Sequence, residues 1–202
     1  MKNKRVPEKM YIYRFLKPIL GPIFRFYYNP KIIGKENIPK EGSILIVGNH
    51  KHIMDQCSCI ISTKRPIHYM AKKEYFDGKM AWFFRMVGCI PVDRSKKDEN
   101  ATHAALEVLK EGHALGLFPE GTRNKTDAFL LPFKFGAVSM AQKTDSYLVP
   151  FGITGDYKFR SKNLMVRFGK PFKVEGDLEK ANQKLEKVVG DLMRENLKNS
   201  GK

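Results

Sequence analysis

The sequence feature that most restricts the possible folds of this chain is a short apolar run that is followed directly by polar residues. Residues 44–47 read Ile-Leu-Ile-Val, and Gly48 closes the run. A run that is too short for a helix and rich in β-branched residues predicts a strand buried on both faces of a sheet. Asn49 and His50 follow at the carboxyl end of this strand, which is where open α/β sheets bind their ligands. The stretch therefore predicts an α/β domain with a functional site at this strand end.

His50 and Asp55 are the first candidates for catalysis. Imidazole can take up and return a proton near neutral pH, and a carboxylate on its other ring nitrogen would fix the tautomer and stabilise the imidazolium ion. Residues five apart point in different directions on one helix, so the pair meets only if His50 precedes the helix and Asp55 lies in its first turn. The same spacing also fits a polar loop in which Asp55 is simply an early helix acid.

Strand-like and helix-like segments alternate along the rest of the chain. Short apolar runs predict further strands, at 66–71, 89–92, 114–118, 147–151 and 163–168. Between them, helical patterns include 99–111, which Gly112 should end, and a final amphipathic helix with Asp177 as its N-cap. This alternation predicts a single α/β domain with a largely parallel central sheet flanked by helices.

Residues 10–28 form a strongly aromatic and aliphatic segment. Three cations interrupt it and fall on one narrow stripe of a helical wheel, namely Arg14, Lys17 and Arg25. Gly21 and Pro22 predict a break into two short helices. A wide apolar face with a cationic stripe is typical of a segment that lies in a membrane interface with its cations at the headgroups, and it equally fits a helix packed on its own domain.

The charge of the chain predicts a polyanionic partner. Lysine and arginine number 37 against 21 acidic residues, which gives a net charge of +16 and a pI near 9.7. The partner is then an anionic membrane surface or a nucleic acid. Helix-turn-helix spacing, zinc knuckles and RNA-recognition strands are missing from the sequence, so a basic nucleic-acid-binding module is the less favoured alternative and we expect no nucleic acid partner.

Membrane spanning and secretion are both disfavoured by the sequence. We find neither a run of about eighteen apolar residues nor a start like a signal peptide, so we expect no spanning helix. Three cysteines without the paired spacing of a zinc site or a disulfide framework predict free thiols in a reducing compartment. We also predict no metal site.

Polar groups follow three of the predicted strands. His50 and Asp55 follow the first, Arg94 follows the strand at 89–92, and the residues 120–123 follow the strand at 114–118. A base beside two arginines predicts an anionic substrate that carries a hydroxyl group, because the planar guanidinium fork suits a phosphate. Gly121 would let backbone N–H groups approach that substrate closely.

Four segments in this order resemble the blocks of the glycerolipid acyltransferase family. They are Asn49-His50-x4-Asp55, the sequence GCIPVDR at 88–94, FPEGTR at 118–123 and VPFG at 149–152. The blocks span about half of the chain, and FPEGTR is the most specific of them. The resemblance is strongest to the bacterial members that acylate 1-acylglycerol 3-phosphate, known as lysophosphatidate.

The resemblance implies a role for each matching residue. His50 is implied as the general base on the acceptor hydroxyl and Asp55 as its orienting partner, without a covalent enzyme intermediate. Five residues are implied to bind the glycerol phosphate, namely Arg94, Glu120, Gly121, Thr122 and Arg123. Pro150 is implied to line the acyl side. Many relatives carry serine where His52 stands, so this loop holds two imidazoles, and spacing favours His50 as the base.

The resemblance also implies the reaction and its setting. A fatty acyl group passes from acyl-CoA or acyl-ACP, as co-substrate and without a cofactor, to lysophosphatidate, forming phosphatidic acid in phospholipid biosynthesis. Glycerol 3-phosphate or another lysolipid is the alternative acceptor. We expect amphipathic membrane-interface helices in residues 1–30 and the acyltransferase domain in residues 31–202. The protein would then bind anionic lipids peripherally on the cytoplasmic face of the cell membrane.

Overall fold

The computed structural model describes residues 10–199. The strands in this part of the chain are β1 (Lys31–Ile33), β2 (Ile44–Gly48), β3 (Ile67–Lys72), β4 (Ile90–Val92), β5 (Ala114–Leu117), β6 (Tyr147–Thr154) and β7 (Met165–Phe168). The helices are α1 (Tyr11–Tyr28), α2 (Asp55–Ile60), α3 (Ala81–Met86), α4 (Glu99–Lys110), α5 (Gly136–Lys143) and α6 (Leu178–Asn199). Short 3-10 turns cover Lys35–Asn37 and Lys73–Phe76.

The strands form one sheet in the order β1-β7-β6-β2-β5-β3-β4. Strands β2 to β6 run parallel to one another, β7 is antiparallel to β6, and β1 is parallel to β7. The predicted largely parallel sheet is therefore confirmed. Strand β2 lies at its centre between β5 and β6, with Leu45 paired to Leu115 on one side and Leu148 on the other. Its carboxyl end consequently opens at the middle of the sheet edge.

Apolar side chains cover both faces of the sheet. Helices α4, α5 and α6 pack on one face, on strand side chains that include Leu45, Val47, Leu115 and Leu148. Helix α2 and the end of α1 cover the other face, on side chains that include Ile44, Ile46, Val149, Phe151 and Val166. Full burial of a Leu, Ile or Val side chain contributes roughly 1.5–3 kcal/mol. Burial on both faces thus fixes which side of the sheet each β2 side chain faces. It also fixes the direction in which the chain leaves the strand toward Asn49 and His50.

Two predicted helix ends are confirmed. The N–H of Lys180 donates to Oδ1 of Asp177 at 2.8 Å, so Asp177 caps α6. Gly112 has a φ of +78° just beyond α4, a conformation that glycine adopts without strain. Both signals are local in sequence, which is why they can be read without the tertiary structure.

The prediction of two short N-terminal helices is wrong. Helix α1 is continuous from Tyr11 to Tyr28 and contains Pro18 and Pro22. Proline removes a helical hydrogen bond, but the helix is also held from outside on both sides of Gly21. Lys17 lies on the N-terminal side of this glycine and Arg25 on its C-terminal side, and each donates a hydrogen bond to a backbone carbonyl of the domain. Contacts with the domain therefore override the local tendency to break.

Two of the three α1 cations contact the protein itself, as expected for the alternative in which this helix packs on its own domain. The ammonium of Lys17 donates to the carbonyl of Thr63, and Nη2 of Arg25 donates to the carbonyl of Ile61 at 2.5 Å. These carbonyls lie at and just beyond the end of α2. The last carbonyl groups of a helix have no hydrogen-bond donor within the helix itself. The cations satisfy them and fasten α1 to the domain.

Much of the apolar surface of α1 is exposed. Tyr13 and Phe24 are buried against the domain. The exposed large apolar side chains of this helix are Tyr11, Phe15, Ile19, Leu20, Ile23, Phe26 and Tyr27. In the part of the chain from 10 to 199, no helix combines the length and apolarity that a bilayer crossing requires. Residues 1–9 and 200–202 of the two predicted regions lie outside the described residues, and the division at residue 30 stays a prediction.

Candidate active site

Strand β2 and strand β6 together hold the turn that carries His50. The backbone of β6 runs so close to Gly48 that a Cβ there would overlap the carbonyl of Phe151. Asn49 then fastens the turn to β6 through both atoms of its amide. Its Nδ2 donates to the carbonyl of Ile153 at 2.9 Å, and its Oδ1 accepts the N–H of Ile153 at 2.7 Å. The residue before His50 is thus fixed, and it is itself buried.

His50 and Asp55 are in hydrogen-bonding contact. Nδ1 of His50 lies 2.9 Å from Oδ2 of Asp55, the first residue of α2, whose side chain is fully buried. The same oxygen accepts the backbone N–H groups of Lys51 at 2.7 Å and His52 at 2.8 Å. The predicted geometry is therefore confirmed, with His50 in the turn and Asp55 at the helix start. Since Nδ1 is engaged, Nε2 is the ring nitrogen left for a substrate.

A large cleft opens beside His50. It has a volume of about 900 Å³ and lies between α1 and the carboxyl edge of the sheet. Its apolar walls include Leu16, Leu20, Phe24, Ile60, Tyr69 and Phe84. The His50 ring stacks on Phe118, with ring centres 4.0 Å apart and planes 16° apart. The imidazole therefore borders a space that suits an aliphatic chain.

Three of the predicted phosphate ligands share this cleft with His50. Arg94, Thr122 and Arg123 all contribute to its wall. They come from the ends of two different strands, β4 and β5, that the sheet topology brings to the same edge. The two guanidinium groups and the imidazole of His50 thus border the same volume.

Glu120 and Gly121 are placed differently. The Glu120 carboxylate is 4% exposed, and it accepts the N–H of His50 at Oε1 (2.6 Å) and the N–H of Leu131 at Oε2 (3.0 Å). Burial raises the pKa of Glu120, and the two N–H groups partly offset this effect. Gly121 has a φ of +72°, and a Cβ at this position would lie 2.8 Å from the ammonium of Lys134. The positive φ therefore favours glycine here, whereas a Cβ would only require the flexible end of the Lys134 side chain to shift.

Pro150 is not brought to the cleft. It lies within β6, paired with Val47, and is buried against Gly169. It is not among the residues that form the cleft wall in the described part of the chain. The helix α1 supplies much of that wall instead, from a segment that the sequence motifs do not include.

The other histidines do not share the site geometry of His50. The His52 ring stacks on Tyr157 with centres 4.6 Å apart, and its Nδ1 accepts the N–H of Met54 at 3.3 Å. His68 is buried and its Nδ1 hydrogen-bonds the carbonyl of Gly88 at 2.9 Å. Burial lowers the pKa of His68 to about 4, so this imidazole is neutral in the folded protein near pH 7.

Two thiols also line the cleft, those of Cys57 and Cys89. Burial raises the pKa of Cys57 to about 11 and that of Cys89 to about 12. Both thiols are therefore protonated at neutral pH, and a protonated thiol is a poor nucleophile. Their chemistry does not compete with that of His50.

Sequence reasoning missed two residues that contact the turn carrying His50. The N–H of Asn124 donates to the carbonyl of His50 at 2.7 Å. Tyr157 stacks on His52, donates or accepts a hydrogen bond with Ser58 at 2.9 Å, and touches the rings of α1. Asn124 directly follows the FPEGTR segment, so its position was a usable signal. Tyr157 is 99 residues from Ser58 in the sequence, and no local pattern indicated that the two residues meet.

Comparison with known proteins places these features in a family. A family model described as Acyltransferase matches residues 29–154. The chain is 34% identical over 146 residues to a 1-acyl-sn-glycerol-3-phosphate acyltransferase of Bacillus subtilis, covering 71% of this chain and 72% of that protein. A protein of the same name from Borreliella burgdorferi is 33% identical over 141 residues, covering 68% of this chain and 56% of its own length. The fold matches the crystal structure of the Thermotoga maritima enzyme PlsC with a TM-score of 0.72 and 23% identity, covering 92% and 78% of the two chains.

Proposed function

The chain belongs to the acyltransferase family, and we propose that it transfers a fatty acyl group from an acyl thioester to the free hydroxyl of lysophosphatidate, forming phosphatidic acid. The observation that carries this proposal is that the His50–Asp55 pair opens on the same cleft as Arg94 and Arg123. The names of the Bacillus and Borreliella relatives support the choice of acceptor.

His50 provides the acid and base chemistry of this reaction. Its Nε2 accepts the proton of the acceptor hydroxyl while the oxygen attacks the thioester carbonyl carbon. Asp55 holds Nδ1–H and stabilises the imidazolium ion that forms. The carbon–sulfur bond then breaks, and His50 returns the proton to the leaving thiolate. The same imidazole therefore accepts the proton and returns it, and no covalent bond between the substrate and the enzyme forms.

The arginines of the cleft would hold the acceptor phosphate. Arg94 and Arg123 can each present a planar pair of N–H donors to phosphate oxygens, and Thr122 adds a hydroxyl. A phosphate that is held at this point places the glycerol hydroxyl near His50. The positioning of two reactants in this way supplies much of the rate enhancement in a transfer reaction.

The apolar part of the cleft would take the acyl chains. Its walls come from α1, α2, β3 and α3, with aliphatic and aromatic side chains throughout. Because α1 forms one side of the cleft, the hydrogen bonds of Lys17 and Arg25 that fasten α1 also hold this wall of the cleft in place.

An exposed apolar surface would bring the enzyme to its lipid substrate. We call the exposed apolar residues of α1 outside the cleft wall, together with Met80, Trp82 and Met86 at α3, the lipid-facing surface; those of α1 are Tyr11, Phe15, Ile19 and Phe26. Helix α3 lies beside α1. Together with the net charge of +16 of the whole chain, this surface favours peripheral binding to anionic lipids, which we place on the cytoplasmic face of the membrane as part of the proposal.

A substrate panel tests the proposed function. The protein on anionic vesicles is assayed with lysophosphatidate, glycerol 3-phosphate and lysophosphatidylcholine, each with acyl-CoA and with acyl-ACP. We expect phosphatidic acid as the main product. Preference for another acceptor contradicts the proposed substrate. Failure of every pair, with tight and salt-sensitive binding of DNA or RNA, contradicts the enzymatic function and favours the nucleic-acid module.

A further inference from the structure

We propose that Glu120 positions the backbone of His50, and that it is not a ligand of the acceptor phosphate. This inference rests on the proposed function, because it assigns the residue a role in the same reaction. It departs from the role that the FPEGTR motif implies for this glutamate. The reason is the way in which the carboxylate is already used within the protein.

Both oxygens of Glu120 are already engaged by the backbone. Oε1 accepts the N–H of His50 at 2.6 Å, and Oε2 accepts the N–H of Leu131 at 3.0 Å. The residue is 4% exposed. A hydrogen bond from an N–H group to a carboxylate is stronger than one between neutral groups, and the loss of a buried partner leaves the N–H unsatisfied. The carboxylate therefore connects two segments that are far apart in sequence.

Glu120 also lies outside the wall of the substrate cleft. It contributes to a smaller cavity of about 280 Å³, together with Asn49, Lys51 and Thr154. Arg94 and Arg123 contribute to the large cleft instead. A second reason against a ligand role is electrostatic, since an ionised carboxylate repels a phosphate dianion at short range. The position and the charge of Glu120 thus both disfavour contact with the acceptor.

One short segment holds the peptide groups on both sides of His50. Glu120 accepts the N–H of His50, and the N–H of Asn124 donates to the carbonyl of His50 at 2.7 Å. Arg123 lies between these two contacts in sequence. The segment 120–124 therefore fixes the base and the phosphate ligand relative to each other. A shift of about 1 Å in a catalytic group can lower a rate by roughly 10²-fold.

The test compares two glutamates, Glu120 and Glu186, whose carboxylates both accept hydrogen bonds from backbone N–H groups. In Glu120→Gln, the amide NH2 group must face the N–H of either His50 or Leu131, so one hydrogen bond is lost. Glu186 of α6 also accepts a backbone N–H, that of Phe133 at 3.1 Å. It is the matched control because it binds a segment other than the turn that carries His50. We measure kcat and the acceptor KM of both variants with lysophosphatidate, after checking the fold by circular dichroism.

We expect kcat of Glu120→Gln to fall by roughly 10²-fold with the acceptor KM within about twofold of wild type. Glu186→Gln should keep kcat within about twofold. A loss of kcat/KM that comes mainly from KM, an unchanged kcat, or an equal loss in Glu186→Gln contradicts the inference. Should Glu120→Gln not fold, Glu120→Asp, whose shorter side chain reaches only one of the two N–H groups, is judged by the same criteria. Inactivity of the wild-type protein with every substrate pair would instead contradict the proposed function.

Discussion

Oδ2 of Asp55 lies 2.9 Å from Nδ1 of His50 and accepts two backbone N–H groups of the same turn as well. One fully buried carboxylate oxygen therefore shapes the turn and orients the imidazole at the same time. This arrangement explains how two residues five apart can act as a pair. It also separates the ring nitrogen that faces the protein from the one that faces the cleft.

Replacement of Asp55 by asparagine should lower kcat by roughly 10²- to 10⁴-fold, because the neutral amide no longer stabilises the imidazolium ion. The measurement is steady-state turnover of lysophosphatidate. Asp177→Asn is the control, since Asp177 also accepts a backbone N–H but caps the distant helix α6. A Asp55→Asn variant as active as this control would show that the carboxylate charge is not used.

Replacement of Arg123 by lysine should raise the acceptor KM while kcat changes little. A lysine keeps the charge but loses the planar pair of donors. The measurement is the dependence of initial rate on lysophosphatidate concentration. Arg194 is exposed on α6 and pairs with Asp191, so Arg194→Lys serves as the control. An unchanged KM in Arg123→Lys would remove this residue from the phosphate site.

His68 should make the protein less stable as the pH falls below about 6.5. Burial lowers its pKa to about 4 in the folded state, with the bond to the Gly88 carbonyl opposing this effect and His113 adding to it. Between pH 6.5 and 4 the unfolded chain binds more protons at this residue, so the free energy of unfolding decreases as the pH falls. The contribution of this residue is roughly 3 kcal/mol at most.

Urea unfolding of His68→Gln and wild type between pH 4 and 7 measures this effect. We expect a shallower decrease in the free energy of unfolding for the variant. His103→Gln, at an exposed position of α4, should keep the wild-type slope. Equal slopes in all three proteins would exclude His68 as a source of the acid sensitivity.

The single tryptophan of the chain reports on the lipid-facing surface. Trp82 is 58% exposed in α3. Anionic vesicles should shift its fluorescence to shorter wavelength, and brominated lipid chains should quench it, because indole favours the membrane interface. A Trp82→Phe, Tyr147→Trp double variant moves the reporter to the start of β6, at the amino ends of the parallel strands and away from their carboxyl ends, where no quenching is expected. Equal quenching of both reporters, or of neither, would contradict the assigned surface.

The sequence predicted those features whose causes are local. The buried run of β2, the cap at Asp177 and the turn at Gly112 depend on residues that are close together in the chain. The His50–Asp55 contact was predictable for the same reason, since it only required a turn before a helix. These features need no knowledge of what lies across the sheet.

The features that the sequence did not predict depend on distant partners. Helix α1 is continuous because carbonyls at Ile61 and Thr63 receive its cations, more than thirty positions away. The FPEGTR motif placed Glu120 in the correct loop, but the motif does not show which way a side chain points. Its carboxylate meets His50 across 70 residues of sequence, through the pairing of β2 with β5.

The central claim is that His50 is the base that activates the acceptor hydroxyl, and a comparison of two histidine variants tests it most directly. Turnover of lysophosphatidate by folded, vesicle-bound His50→Ala should fall by at least roughly 10²- to 10⁴-fold, the usual contribution of general acid–base catalysis. His52→Ala should stay within about tenfold of wild type, because the His52 ring stacks on Tyr157, whereas it is the His50 ring that contacts the Asp55 carboxylate. Retained turnover in His50→Ala together with its loss in His52→Ala would contradict the account and identify His52 as the base.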